Sequence, residues 1–208
     1  MSINIIKNGV WKSAKFAVKG NGELIPQIYY GNKLVLNNNG IVFEKHTKGT
    51  YTVRIPITGY YYVRLVGGGG GGAYGVAQSV GSAHNGGSAG YIYGTTRITA
   101  GTYTVVIGGG GAGSGGAGAH YGTDGGNTSF ASNVAKGGGG ANASYPGAKG
   151  TGGGTTVKSS GLTGSSGTAG STTSRYGSYG GGGAAKYLSY ANAGQVGYAY
   201  IRYVGQSV

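Results

Sequence analysis

The chain has 208 residues, 52 of them glycine, 3 proline and none cysteine, and its 16 Lys and Arg face three acidic residues for a formal net charge of +13. No disulfide or thiolate metal site can form, and the scarcity of proline with no sustained Gly-X-Y frame excludes collagen. The positive excess suits a polyanionic surface, but no RGG repeat, RNP-type motif or zinc ligand set accompanies it, so nucleic acid is not an expected partner.

Only seven glycines precede residue 60, which divides the chain. Residues 1–46 read as a small β module: short apolar runs at 3–6, 10–12, 16–18, 25–30, 33–36 and 41–43 are separated by turn dipeptides such as Asn8-Gly9, Gly31-Asn32 and Asn39-Gly40. Seven of the eleven lysines fall in the first 48 residues. Residues 1–13 carry no continuous apolar core, so neither a secretory signal nor a membrane span is expected. The module is too small to hold much core and reads as a docking piece.

Residues 47–208 form the second unit. Tyr51, Val53 and Ile55 share one strand face; after a turn at 56–59, Tyr61, Val63 and Leu65 lie on one face of a strand and Tyr60, Tyr62, Arg64 and Val66 on the other. Further strands are expected at 91–93, 97–98, 102–107 and 128–130. The last, at 196–204, sets Tyr198, Tyr200 and Arg202 opposite Ala199, Ile201 and Tyr203. These strands bracket the pure glycine runs 67–72, 108–111, 137–140, 152–154 and 180–183.

A glycine run has no side chain to bury and costs roughly 1 kcal/mol per residue in backbone entropy relative to alanine, so it is either linker or a place where backbone meets backbone. Triplet spacing favours the second: Gly161, Gly164, Gly167 and Gly170, and likewise Gly147, Gly150 and Gly153, Gly110, Gly113 and Gly116, and Gly177, Gly180 and Gly183. A three-residue helical turn then lines a ridge with glycine. The expected fold is all-β, essentially without α-helix: an N-terminal β module, then a β-sandwich carrying an inserted polyglycine II helix bundle. One such helix cannot offset its own entropy, but six or more packed around all-glycine members can.

Between the runs lie segments rich in tyrosine beside small polar residues, the composition of antibody-type binding loops. Tyr74, His84, Asn85, His120, Tyr121, Tyr145, Lys149, Arg175, Tyr176, Tyr179 and Tyr187 are the candidate receptor-binding residues. Catalysis is poorly supported. Glu23, Glu44 and Asp124 offer no paired-acid site, and His46, His84 and His120 lack metal-ligand spacing, so neither metal nor cofactor is expected. His120 and Asp124 lie near many serines, but nothing specifies a nucleophile. The glycines at 67–72 lack the Lys-Ser/Thr ending of a phosphate loop.

The stretch YTVRIPITGYYYVRLVGGGGGG (51–72) is similar to the start of the glycine-rich domain of many bacteriophage tail proteins. The similarity continues in TAGTYTVVIGGGGAG (99–113), GGNTSF (125–130), AKGGGG (135–140) and GQVGYAYIRY (194–203). KNGVWKSAKFAVKGNGELIPQ (7–27) looks like short attachment modules of phage tail-tip and fibre proteins. More loosely, the alternation of glycine runs and variable loops resembles the distal tail-fibre adhesins of T-even-like phages. There a polyglycine II sandwich presents loops to outer-membrane proteins or lipopolysaccharide. A related domain joined to a TNF-like, jelly-roll β-sandwich occurs in some receptor tyrosine kinases. The resemblance implies a non-enzymatic phage adhesin that binds a bacterial outer-membrane protein or lipopolysaccharide. It also implies a homo-oligomer in the virion, attached through residues 1–46 to other tail or fibre subunits and made in the host cytoplasm. Two other readings stand beside it: a structural tail, baseplate or capsid-associated component, and an ice-binding protein.

Overall fold

The computed structural model describes residues 2–7, 10–18, 24–30, 33–36, 40–75, 83–115, 121–143, 148–187 and 190–205. Strands β1 (Ser2–Lys7), β2 (Val10–Val18), β3 (Leu24–Tyr30) and β4 (Lys33–Leu36) form an antiparallel meander in chain order. The two apolar runs at 10–12 and 16–18 belong to one nine-residue strand, because Trp11 to Lys15 remain paired with β1 across the polar residues between them.

The strands that follow are β5 (Ile41–Lys45), β6 (Gly49–Ile55), β7 (Gly59–Val66), β8 (Tyr74–Gly75), β9 (Tyr91–Ile98) and β10 (Gly101–Ile107). Next come β11 (Thr128–Phe130), β12 (Asn133–Ala135), β13 (Thr155–Thr156), β14 (Leu162–Ser165), β15 (Lys186–Tyr187) and β16 (Tyr198–Gly205). They make two five-stranded antiparallel sheets, ordered β13-β12-β11-β10-β6 and β14-β9-β7-β16-β5, with β8 and β15 as a small parallel pair. No α-helix occurs among the described residues. β5, which the sequence reading placed in the N-terminal module, is instead the edge strand beside β16, and Tyr203 N–H donates to Gly40 O at 2.8 Å.

The two sheets face each other as the period-two pattern requires. Val53 and Ile55 of β6, Val105 and Ile107 of β10 and Phe130 of β11 meet Tyr61, Val63 and Leu65 of β7, Ile92 and Ile98 of β9 and Ala199 and Ile201 of β16. β7 lies at the middle of its sheet and alternates buried and half-buried along its length. The segments read as 91–93 and 97–98 are one strand, β9, paired with β7 over its whole length.

The glycine bundle grows out of this sandwich. β7 runs directly into residues 67–73, and there the period changes from two to three. Gly67, Gly70 and Ala73 donate N–H to the carbonyls of Gly90, Gly87 and His84. Gly68 and Gly71 donate to Gly126 and Thr123, and Gly69 and Gly72 to Gln195 and Asn192. Each acceptor number falls by three as the donor rises by three, so these three neighbours run antiparallel. The carbonyls of Gly69 and Gly72 accept from Gly111 and Ser114, those of Gly68 and Gly71 from Gly138 and Ala141, and that of Gly70 from Gly183. These three neighbours run parallel.

The six neighbours also bond to one another around the centre. Gly87 donates to Gly139, Gly125 to Gly138, Gly126 to Gly109, Gly194 to Gly111, Gln195 to Gly181 and Gly86 to Gly183, all within 2.7–3.0 Å. The ring is closed, with parallel and antiparallel members alternating. Segments 150–154 and 167–171 extend it on one side: Gly153 donates to Ser88, and Gly167 to Gly153. A helix of three residues per turn points successive N–H and C=O groups about 120° apart, which is why one glycine helix serves six neighbours. Every N–H of 67–72 and every carbonyl from Gly68 to Gly72 is paired within the protein, which answers the entropy objection to an isolated run.

The expected order therefore holds, but two parts of the glycine reading are corrected. Gly161 (φ +79°) and Gly170 (φ +61°) lie in turns and Gly164 in β14, so of that unbroken triplet series only Gly167 lies in a bundle helix, although Gly170 N–H still donates to Gly150 O. The antiparallel members 84–90, 122–126 and 191–197 take in residues that the sequence reading gives to loops (84–85, 122–124 and 191–193) and to the last strand (196–197), which begins only at Tyr198. They need glycine where they face the centre, as at Gly86, or the outer segment 150–154, as at Gly87 and Gly90; elsewhere their side chains hold backbone donors. Asp124 Oδ1 accepts from Gly140 N (2.7 Å), Thr123 Oγ1 from Ala112 N (2.8 Å) and Gln195 Oε1 from Gly181 N (2.8 Å).

One turn is built from residues that resist it. β11 and β12 are joined by Ala131 (φ +46°) and Ser132 (φ +65°), a two-residue hairpin in the left-handed region that normally takes Asn-Gly. Buried Asn133 holds it: Nδ2 donates to Phe130 O, Ala131 O and Ser159 Oγ, while Oδ1 accepts from the N–H groups of Lys158 and Ser159. Ser132→Gly is expected to stabilise the protein by about 1 kcal/mol and Asn133→Ala to destabilise it by about 3 kcal/mol, with opposite shifts of the thermal midpoint.

Candidate functional site

Register in the bundle divides the candidate residues between two ends. The central helix starts at the sandwich and reaches its far end six residues later, roughly 19 Å at about 3.1 Å per residue. At that distal end the chain leaves the bundle near 73, 114, 141 and 184 and re-enters near 84, 122, 149 and 191. Tyr74, His84, Tyr121, Lys149 and the β15 residue Tyr187 are therefore neighbours at the distal end; only the backbone of Tyr187 is described. Arg175, Tyr176 and Tyr179 are at the opposite end, on the sandwich. His120 and Tyr145 lie outside the described residues.

The distal residues are held by backbone rather than by one another. Tyr74 N–H donates to Ser114 Oγ (2.6 Å), and β8 and β15 pair Tyr74 with Lys186. Tyr121 is 57% exposed and its backbone bridges Asn142. Tyr190, absent from the sequence-based set, is 71% exposed and lays its ring over Gly115, where no β-carbon would fit. Lys149 is exposed with its aliphatic stem against Gly170. Asn85 serves the scaffold: Oδ1 accepts from Ala185 N (2.7 Å) and Nδ2 donates to Gly170 O (3.3 Å).

The sandwich end holds an arrangement the sequence reading did not name. The outward face of the β14-β9-β7-β16-β5 sheet carries Tyr91, Tyr93 and Arg97 from β9, Tyr60, Tyr62 and Arg64 from β7, Tyr198, Tyr200 and Arg202 from β16, and Glu44 from β5. Register sets Arg64 between Tyr93 and Tyr200, and Arg202 beside Tyr62. The segment 174–179 folds over one part of this face. Tyr176 covers the Arg64 guanidinium, with Cζ 3.8 Å from the ring centroid. Tyr179 stacks on Tyr198 at 4.8 Å and 7°, with His46 on it at 5.7 Å. Arg175 clamps the cover by donating to Ser165 Oγ (2.9 Å) and Ser166 O (3.1 Å).

Charge on this face is one-sided. Its one carboxylate among the described residues, Glu44, accepts a 2.8 Å hydrogen bond from Tyr198 Oη. Burial, and then that hydrogen bond, push the Tyr198 phenol far above its usual range. Burial also raises Tyr91 and Tyr200 despite the opposing pull of Arg64 and Arg202. For Arg64, burial works to lower the pKa, but its hydrogen bond to Tyr62 Oη (2.9 Å) and the neighbouring tyrosines outweigh it, so it remains a permanent cation. The Nε groups of Arg64, Arg175 and Arg202 are buried and donate to no acceptor. The signal available in the sequence was Tyr-x-Tyr-x-Arg, which occurs both at 60–64 and at 198–202.

A family model described as a glycine-rich domain matches residues 46–207, so the chain belongs to the glycine-rich domain family. The matched span takes in the whole bundle and nearly all of the sandwich that roots it. No curated protein matches the chain.

Proposed function

We propose that this protein is a bacteriophage tail receptor-binding protein, an adhesin that recognises an outer-membrane protein or lipopolysaccharide through the loops at the distal end of its glycine bundle. The observation that carries this reading is the division of labour in the bundle. Its backbone groups are occupied with one another, while the connections at one end carry exposed tyrosines and lysines on a rigid base. Tyr74, Tyr121 and Tyr190 supply flat amphipathic contact area, and Lys149 and Lys186 supply charge for phosphates or acidic groups. Residues 1–46, through the β1–β4 sheet, join the adhesin to other tail or fibre subunits in an oligomeric virion structure.

The test is adsorption of fluorescently labelled protein to a panel of bacterial strains. Joint replacement of Tyr74, Tyr121, Lys149 and Tyr190 by alanine is expected to remove strain-selective binding at least tenfold and leave the thermal midpoint within about 3 °C. Undiminished adsorption by that variant would place the receptor site elsewhere. Absence of selective adsorption by the wild type would favour a structural role in the virion.

A further inference from the structure

The geometry points to a second binding site, on the outward Tyr–Arg face of the β14-β9-β7-β16-β5 sheet, that takes an acidic sugar unit, its carboxylate or phosphate held by Arg202, with the Tyr176-covered Arg64 adding its charge, and its ring resting against Tyr62, Tyr93 and Tyr200.

Three observations carry it. First, charge: Arg64, Arg97 and Arg202 share this face with Glu44 as the one described carboxylate, and Glu44 is already engaged by Tyr198. A guanidinium has five donors and no way to become neutral, so a tyrosine ring against its face leaves in-plane N–H groups that suit an anion. Second, a donor of Arg202 is unused, whereas Arg64 already donates to Tyr62 Oη at 2.9 Å and lies under the Tyr176 ring. Arg202 lies 6.0 Å from the Tyr62 ring centroid, and its buried Nε, like that of Arg64, meets no acceptor. Arg64 and Arg202 sit diagonally on adjacent strands, a separation of roughly 7–8 Å that one small anion can bridge. Third, the rings offer apolar surface beside the cations. Tyr93 is 39% exposed, Tyr62 and Tyr200 are half-buried, and the covering segment 174–179 reaches Tyr91, Arg64 and Tyr198 but leaves Tyr62 and Arg202 uncovered.

A single-stranded nucleic acid fits less well. It needs a groove of exposed cations tracking the phosphates and rings presented face-on for successive bases. Here Arg97 is the one fully exposed cation of the described face, and Tyr62 and Tyr200 meet edge to face at 68°. The compact arrangement suits one acidic sugar at a time.

Binding of the full-length protein to an oligogalacturonate hexamer and to a phosphorylated oligomannose is measured beside their neutral counterparts, the methyl ester and the unphosphorylated oligomannose, and a single-stranded oligonucleotide. At least one acidic sugar is expected to bind about tenfold or more tightly than its neutral form, and more weakly as salt rises. Which of the two binds identifies carboxylate or phosphate. Arg202→Gln is expected to lower that affinity about tenfold, Arg202→Lys less so, and Tyr93→Ala severalfold, with largest shifts at the Arg202 and Arg64 Nε–H resonances. Joint Tyr121→Ala and Lys149→Ala replacement at the distal end leaves this affinity unchanged, so failure here is distinguishable from failure of the adhesin reading. The inference is overturned if neither acidic sugar binds, if neutral forms bind equally, if Arg202→Gln has no effect, or if the oligonucleotide binds more tightly at these arginines.

Discussion

Gly69→Ala is expected to unfold the glycine bundle, whereas Gly154→Ala leaves the protein as stable as before or slightly more so. At Gly69 a β-carbon would stand closer to the Gly181 carbonyl oxygen than any non-bonded carbon can, and 2.9 Å from Gly182 N. Gly69 cannot move aside, because its N–H is bound to Gln195 O and its carbonyl to Gly111 N, both at 2.8 Å. Gly181 cannot retreat either, being tied into the closed ring through Gln195 N. Extra methylenes in an ordinary core cost about 1–3 kcal/mol because side chains rearrange. Here only backbone can yield, and each hydrogen bond broken adds about 1 kcal/mol. A loss of about 5 kcal/mol or more follows, comparable with the whole stability of a typical domain. At Gly154 the nearest atom to an added carbon is Lys136 Cδ at 3.8 Å, an ordinary contact. Alanine there restricts the unfolded chain and is worth up to about 1 kcal/mol. Chemical denaturation of both variants decides the matter: a Gly69→Ala protein melting near the wild type would refute this account of the bundle.

The second large effect is alkaline unfolding. Tyr61 is buried between the sheets and donates to Ile57 O at 2.6 Å, and burial pushes its phenol from 10.0 up to about 12. The folded value lies above the unfolded one. The stabilisation is therefore complete below pH 10 and is lost as pH rises from 10 through 12. A shift of this size corresponds to about 3 kcal/mol from Tyr61 alone. Tyr198, Tyr91 and Tyr200 shift in the same direction, chiefly through burial, and add to the loss. Denaturant midpoints should be flat from pH 7 to 9 and fall steeply above 10. Phenolate absorbance should appear in two stages, exposed tyrosines first and the buried ones together with unfolding. Tyr61→Phe should remove its share of the slope. If all 19 tyrosines titrate near 10 with the fold intact, the buried-phenol account is wrong.

Much of this architecture was legible, and the reasons are local. Strands such as β7 and β16 announce themselves because alternate residues must enter a shared core, so Tyr61, Val63, Leu65, Ala199 and Ile201 carry the period openly. The run 67–72 was legible as backbone meeting backbone rather than linker, since a patterned strand leads into it, triplet-spaced glycines follow it and a long patterned strand closes the domain. The antiparallel members were not. At 84–90, 122–126 and 191–197 only the ridges that meet another segment must be bare, and Asp124, Thr123 and Gln195 serve the bundle with side chains that look like loop residues. The most regular triplet series misled for the same reason, because spacing alone does not separate a helix ridge from the turn at Gly161 and strand β14. The outward Tyr–Arg ladders were visible as strand faces. Their joint position on one sheet depends on β7, β9 and β16 being adjacent, which pattern alone does not fix. The same limit separated Tyr176 from Tyr121, which look alike in sequence and lie at opposite ends of the bundle.

The central helix also sets when this protein can fold. Its first donor finds an acceptor at Gly90, but those of Gly69 and Gly72 wait for Gln195 and Asn192, more than 100 residues later. β7 likewise waits for β16 on one side. Because nearly all its pairing is distant in sequence, the domain belongs to the slow, high-contact-order class. A chain still being synthesised holds an unsatisfied polyglycine core until residue 205 has cleared the ribosome. Nascent or C-terminally shortened chains are therefore expected to be more open to proteolysis than the full chain.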